Sequence, residues 1–377
     1  MKKEKYCIFH IPNYIPQNER SGSQIRPRKM LEAFKNNGYN VDIIMGYGKE
    51  RKKQIENIKK KINHGQRYDF LYSESSTMPT LLTEKNHLPK YPMLDFSFMK
   101  FCKKNGIKIA LFYRDIQWKF PMYKDNVSVL KRMVSIPMYK YDLKKYEDLV
   151  DVFYLPSSQM KKYLKGNNRL LQKSQVLMPG CVLDEKIVRE KAKYFEKRGN
   201  KQIEIFYVGG IYRIYDLSLF LEAVFYQEGV HFTLCCRESE WEQCKIIYEK
   251  YLCDRITVVH ESGEALGKYY QNADICCAFA GNGEYMRMAM PVKLFEYISN
   301  TIPIVVTDGT AAGEFIKENG AGWPVKYDSE AIKQWLNYIV ENQGEIKKIH
   351  DNQVMLLRSN TWEDRARKVI NDLKKEL

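Results

Sequence analysis

ADICCAFAGNGEYMRMAMPVKLFEYISNTIPIVVTDGTAAGEFIKENGAGWPV, residues 273–325, is the stretch that decides the fold. It opens on DICCAFA, an apolar run too short for a helix, which reads as a buried strand ending in a loop. Pro291 fits the first position of a helix, where its missing N–H costs nothing. Lys293 and Glu296, three residues apart, then share one face of that helix. A second strand, IPIVVT from Ile302, follows at once, and the loop DGTAAGE begins another helix at Gly313-Glu314. Two helix N-termini thus converge near one strand edge with a lysine beside them, which suits a diphosphate. A carboxylate one turn deeper can accept hydrogen bonds from sugar hydroxyls. The alternative is a solvated i,i+3 Lys–Glu surface pair, worth about 0.2–0.5 kcal/mol.

The same alternation runs outward from this stretch. Strand-like runs IEIFYV from Ile203, FTLCC from Phe232 and ITVVH from Ile256 are separated by helical segments Leu217–Gln227 and Glu240–Tyr251, and Ala331–Glu341 is a further helix. A highly charged stretch, Val182–Lys201, lies before them. Ahead of it an earlier set reads YCIFHI from Tyr6, VDIIM from Val41, DFLYS from Asp69, IKIALFY from Ile107, VFYL from Val152 and QVLMP from Gln175, with helices at Arg26–Asn37, Pro92–Lys104 and Val127–Leu149. Strands alternating with helices imply parallel sheets, and 377 residues suit two domains. The expected fold is α/β, with two tandem Rossmann-like domains over residues 1–180 and 181–358. A final segment, 359–377, carries the amphipathic stretch Trp362–Leu373 and is expected to cross back to the first domain. Ligands of such sheets bind at the carboxyl ends of the strands, so two facing domains would enclose a central cleft.

Composition narrows the possibilities. Hydrophobic residues make up 44% and charged residues 28%, as in ordinary globular domains. No run approaches the roughly 18–20 apolar residues of a spanning helix. The basic start is broken by Pro12 and Pro16, so a signal peptide is not expected. Nine scattered cysteines form no C-x-x-C, which suggests a reduced, cytoplasmic chain with neither disulfides nor zinc. The net charge of +15 is lopsided: Met1–Gly180 holds 35 Lys and Arg against 16 Asp and Glu, and the remainder 26 against 30. The basic half suggests an anionic partner such as a nucleic acid, an anionic membrane face or a phosphate-bearing substrate; a solvated basic face is the plainer reading. Among its clusters are RKKQIENIKKK from Arg51 and KRMVSIPMYKYDLKKY from Lys131. No Asp-x-Asp, GxxxxGK[ST], HExxH or G-x-S-x-G occurs.

After IEIFYV comes Gly209-Gly210-Ile211-Tyr212-Arg213, where paired glycines permit close backbone approach and Arg213 offers a forked donor suited to phosphate; a tight βα turn explains the glycines equally. With this loop the chain resembles retaining GT-B glycosyltransferases of glycosyltransferase family 4. The likeness rests on P-x-K-L-F-E-Y-I-S-N from Pro291, on YVGG with IYRIYDLSLFLEAV, on VLMPGCVLDE, on NERSGSQIRPRKMLEAFKNNGYNVDII and on NTWEDRARKVI, so it spans nearly the whole chain. The second-half motifs are the specific ones.

The resemblance implies roles residue by residue. Glu296 matches the second Glu of the family's Glu-x7-Glu, which binds the nucleotide ribose, and Lys293 with Leu294 matches the variant facing the diphosphate. The first Glu of that motif is replaced by Met288; Glu284 is the alternative carboxylate for the donor sugar. The family's Arg after the first glycine is Gly210 here, and its Lys-Gly pair is Tyr215-Asp216, which leaves Arg213 as that loop's cation. Gly209, Gly210 and Gly313 fall in donor-phosphate loops, and His260 and Glu261 fall where the base binds. In the first half, Gly22 in the loop Ser21–Gln24 lies near the donor phosphates, while His10, Arg114 and Asp115 face the acceptor. Asp115 has the plainer reading of a helix cap, and His10 that of a structural histidine. Catalysis would rest on Asp115, Lys293 and Arg213.

The implied activity is metal-independent, retaining transfer of a hexosyl group from a UDP- or GDP-linked donor to a hydroxyl of a glycan or lipid-linked acceptor. Bacterial cell-surface polysaccharide or glycoconjugate synthesis would be the setting, in the cytoplasm or at the inner membrane face. No cofactor and no nucleic acid is expected. Two alternatives stand: a GT-B-like epimerase or degenerate homologue, and a basic nucleic-acid-binding protein.

Overall fold

The computed structural model describes residues 4–16, 22–211, 214–281 and 283–374. The chain divides into two units, Met1–Pro179 with Trp362–Leu377, and Gly180–Thr361.

In the first unit, strands β1 (Lys5–His10), β2 (Tyr39–Ile44), β3 (Phe70–Glu74), β4 (Lys108–Phe112), β5 (Val152–Leu155) and β6 (Ser174–Val176) form one parallel sheet in the order β2-β1-β3-β4-β5-β6. β3 and β5 are buried at every position, as parallel strands covered on both faces require. One core cluster joins Phe9, Phe34, Phe70, Tyr72 and Tyr154 to Trp362, Val369 and Ile370 of the helix Trp362–Lys374. That helix packs against the Gly22–Asn36 helix, and its Asp372 accepts a hydrogen bond from the Tyr154 hydroxyl at 2.7 Å. The lysine-rich run from Arg51 lies in a helix, Gly48–Asn63, that buries Ile55, Ile58 and Arg51 itself.

In the second unit, β7 (Ile203–Val208), β8 (Val230–Cys235), β9 (Ile256–Val259), β10 (Ile275–Ala278), β11 (Ile304–Thr307) and β12 (Gly322–Val325) are again all parallel, in the order β12-β11-β10-β7-β8-β9. Counted within the unit this is 3-2-1-4-5-6, the dinucleotide-fold order, and its switch point lies between β7 and β10. Two doubly wound α/β sheets are thus present as expected. β12 is the strand that periodicity passes over. Its Pro324 is tolerated because the strand is an edge, and a Cβ on Gly322 would collide with the Ile304 carbonyl. The charged stretch at 182–201 holds a helix, Glu185–Lys197, in which Asp184 accepts from the Lys186 N–H and Val188, Lys191 and Phe195 are buried. Lys191 Nζ donates to the carbonyls of Tyr270, Gln271 and Ala273 at the end of the Gly267–Asn272 helix, where a cation suits the helix dipole.

Candidate active site

The switch point gathers the strongest of the expected residues. β7 runs out at Val208, and Gly209 follows with φ of +147°, a conformation open essentially to glycine alone. Lys293 enters from the next strand's connection, as the second residue of the helix Val292–Ser299 that follows Pro291. Its Nζ lies 3.9 Å from the centroid of the Tyr207 ring and 5.5 Å from that of Tyr215. A Cβ placed on Gly209 would stand 3.3 Å from it. The ammonium is buried and has no hydrogen-bond partner among the described residues. It makes no ion pair with Glu296, so the surface-pair reading fails. Burial pulls the Lys293 pKa down to about 8, against the opposing pull of Cys277 and Glu296. Burying an ammonium without a partner is costly, and here three N–H donors face a glycine turn at the strand ends.

Glu296 lies one turn further along the same helix. Burial pushes its carboxyl above the usual range while Lys293 opposes the shift. Tyr270 also has a buried hydroxyl without a partner; burial and then the Glu296 charge hold it above its ordinary pKa. Tyr297 ties the helix to the sheet, accepting from the Val208 N–H at 3.2 Å and donating to the Cys277 carbonyl at 3.2 Å.

Leu294, on the same helix, is fully buried. The helix expected at Gly313 begins at Ala311, and the Gly313 N–H is taken by Thr310 Oγ1 at 2.9 Å as a cap. Gly210 follows Gly209, and the next N–H, that of Ile211, donates to Glu240 Oε2 at 3.0 Å. His260 is exposed with Nδ1 2.9 Å from the Cys236 carbonyl, and Glu261 pairs with Lys268 at 3.3 Å. Both follow β9, two strands away from β7. Glu284 is the exposed first residue of a short helix, Glu284–Met288, and Met288 is buried. Arg213 lies outside the described residues. Sequence reasoning missed Tyr207, Glu240 and Tyr270, because no local motif marks a strand tyrosine or a carboxylate arriving from a neighbouring helix.

In the first unit, His10 is buried with both ring nitrogens committed, Nδ1 to Ser73 Oγ at 2.8 Å and Nε2 to Asp95 Oδ1 at 2.9 Å. Arg51 grips the same carboxylate through Nε at 3.0 Å and a terminal nitrogen at 3.1 Å. Burial alone would raise the Asp95 pKa, but His10 and Arg51 hold it below the usual range. His10 is therefore a structural residue without a free nitrogen for an acceptor. Arg114 donates to Glu74 Oε2 at 3.0 Å and to the Ser23 carbonyl at 2.5 Å, which draws the start of the Gly22–Asn36 helix to the end of β4. The fully buried Glu74 also faces Arg26 at 3.3 Å, whose guanidinium stacks 3.5 Å from the centroid of Phe112. Asp115 Oδ1 accepts from the Gln117 N–H at 2.9 Å, just ahead of the short 3-10 helix Gln117–Lys119, whose cap position is Ile116 rather than Asp115. Ser21 lies outside the described residues.

Residues 188–353 match the family model described as glycosyl transferases group 1. No curated protein matches the chain. Among solved structures, a sucrose-phosphate synthase from Thermosynechococcus elongatus is similar at 12% identity and a TM-score of 0.63, over 97% of each chain. A glycosyltransferase from Rickettsia africae is similar at 15% identity and 0.63, over the whole of both chains. HepE from Anabaena, solved with UDP and glucose, is similar at 10% identity and 0.62, over 98% of this chain and 99% of that one. At such identities the likeness is one of fold, and the fold is GT-B. The family match and the fold together support a GT-B glycosyltransferase.

Proposed function

We propose that the second unit binds a nucleotide-diphosphate sugar, UDP- or GDP-linked, and that the chain transfers its sugar with retention to a hydroxyl of a glycan or lipid-linked acceptor. The observation that carries this reading is the buried, partnerless Lys293 ammonium facing Gly209 at the switch point. Cleavage of the bond from sugar C1 to the phosphate oxygen leaves a nucleoside diphosphate whose growing charge needs a fixed positive partner. Lys293 supplies that partner without a metal, Gly209 lets the phosphates approach the backbone, and Glu296 takes the ribose hydroxyls with Tyr270 beside it. HepE, solved with UDP and glucose, supports the choice of ligand class. Arg114 and Asp115 belong to the acceptor side, and cell-surface polysaccharide or glycoconjugate synthesis is the proposed setting.

The test is a calorimetric and thermal-shift screen of UDP, GDP and their common hexose conjugates, followed by nucleotide-release assays with glycan and lipid-linked acceptors. One nucleotide series should bind in the micromolar range and Glu296→Ala should weaken it. Failure of every nucleotide to bind defeats the reading.

A further inference from the structure

The helix Val129–Leu149 is apolar on two sides. Its buried face holds Leu143, Tyr146 and Leu149 and is pinned by polar contacts: Ser135 meets the Tyr123 hydroxyl at 2.7 Å, the Tyr139 hydroxyl donates to the Thr77 carbonyl at 2.7 Å, and Asp142 accepts from the Thr80 N–H at 2.8 Å. Its outward face is apolar. Leu130, Met133, Val134 and Pro137 fall at i, i+3, i+4 and i+7, one helical stripe, and all four are exposed. Leu130 is 77% exposed, Met133 69% and Val134 49%, and Val129 beside them 61%. One turn on, the Tyr141 hydroxyl reaches the sulfur of Met93, which is itself 52% exposed. A helix apolar on its outer face as well as its inner one needs a second apolar surface to cover it.

Charge identifies the cover. Lys131, Lys140 and Lys144 of this helix are exposed, as are Lys119 and Lys124 shortly before it in the chain; the exposed acids among residues 119–149 are Asp125 and Asp148, the latter paired with Arg169 at 2.8 Å. We propose that this face docks the chain on an anionic lipid bilayer, with Leu130, Met133 and Val134 entering the headgroup–acyl boundary and the lysines pairing with lipid phosphates. The helix lies on the bilayer rather than through it, because no described helix is long and apolar enough to cross a membrane. The excess of basic residues over the whole first half adds long-range attraction of the same sign. The docking does not depend on the sugar-transfer reading.

The test uses the full chain with vesicles of phosphatidylcholine alone or with about one-third phosphatidylglycerol, by co-sedimentation, beside light scattering of the free protein. The wild type should bind the anionic vesicles at least tenfold more tightly than the neutral ones. The double substitution Leu130→Glu with Met133→Glu should lower binding more than tenfold while leaving the melting temperature and nucleotide binding unchanged. Lys131→Glu with Lys140→Glu should remove the preference for anionic lipid. Equal binding to both vesicles, binding insensitive to the apolar substitutions, or a dimer that Leu130→Glu dissolves in a chain that ignores vesicles would each overturn the proposal, the last in favour of self-association.

Discussion

Replacing Lys293 with Met should make the ligand-free protein more stable and the nucleotide weaker, two effects of opposite sign from one side chain. Burial lowers the Lys293 pKa from 10.5 to about 8, and at 1.36 kcal/mol per unit the charged form costs the fold about 3 kcal/mol at pH 7. The Tyr207 ring 3.9 Å away returns about 1 kcal/mol as a cation–π contact. A methionine of similar length keeps the packing, so the net gain is about 2 kcal/mol, or about 4–8 °C in melting temperature. The gain has a pH window. Because the folded pKa lies below the unfolded one, the penalty is complete below about pH 8 and fades as pH rises toward 10.5, so wild type and variant should converge there. Against this, losing the charge-assisted contacts to a diphosphate costs about 2–3 kcal/mol of binding, roughly a 30- to 150-fold rise in Kd. Melts followed by circular dichroism with and without the nucleotide, together with calorimetry, read both quantities. A variant that melts below the wild type and keeps its nucleotide-induced shift would refute the reasoning.

Three further outcomes follow from the same geometry. Nucleotide affinity should be flat below about pH 8, where Lys293 is charged, and fall about tenfold per unit above it; a flat calorimetric profile from pH 7 to 9.5 would remove Lys293 from the site. Gly209→Ala forces a Cβ into φ of +147° and to 3.3 Å from the ammonium, costing about 1–3 kcal/mol, whereas Gly199→Ala, with open space around it, should melt and bind like wild type. Asp95→Asn leaves Arg51 buried beside an uncharged partner, which should cost about 3–5 kcal/mol in a denaturant titration while the nucleotide-binding constant of the second unit stays unchanged.

Much of the fold could be read directly because parallel strands covered on both faces are short continuous apolar runs, as ICCA, IVVT and VFYL are. β12 escaped because Gly322 and Pro324 carry no such signal, and only its edge position permits them. At the site, Lys293 and Glu296 were legible because three-residue spacing on a short helix fixes their common face. The position of Lys293 beside Gly209 was not, because two loops 84 residues apart meet only through the strand order. For His10 and Leu294 the sequence places the residue but not its side chain. Both sit at strand ends or in a motif, and only burial shows that their side chains turn inward.

The helix Trp362–Lys374 gives the first unit a history as well as a shape. Its Trp362, Val369 and Ile370 belong to the same core as Phe34 and Tyr72, yet the chain of the second unit is strung between them. During synthesis the earlier-made lobe must wait with an apolar flank bare, while the later one, continuous in the chain, can finish folding ahead of it. The usual order, in which the segment nearest the N-terminus folds first, would leave that core one helix short.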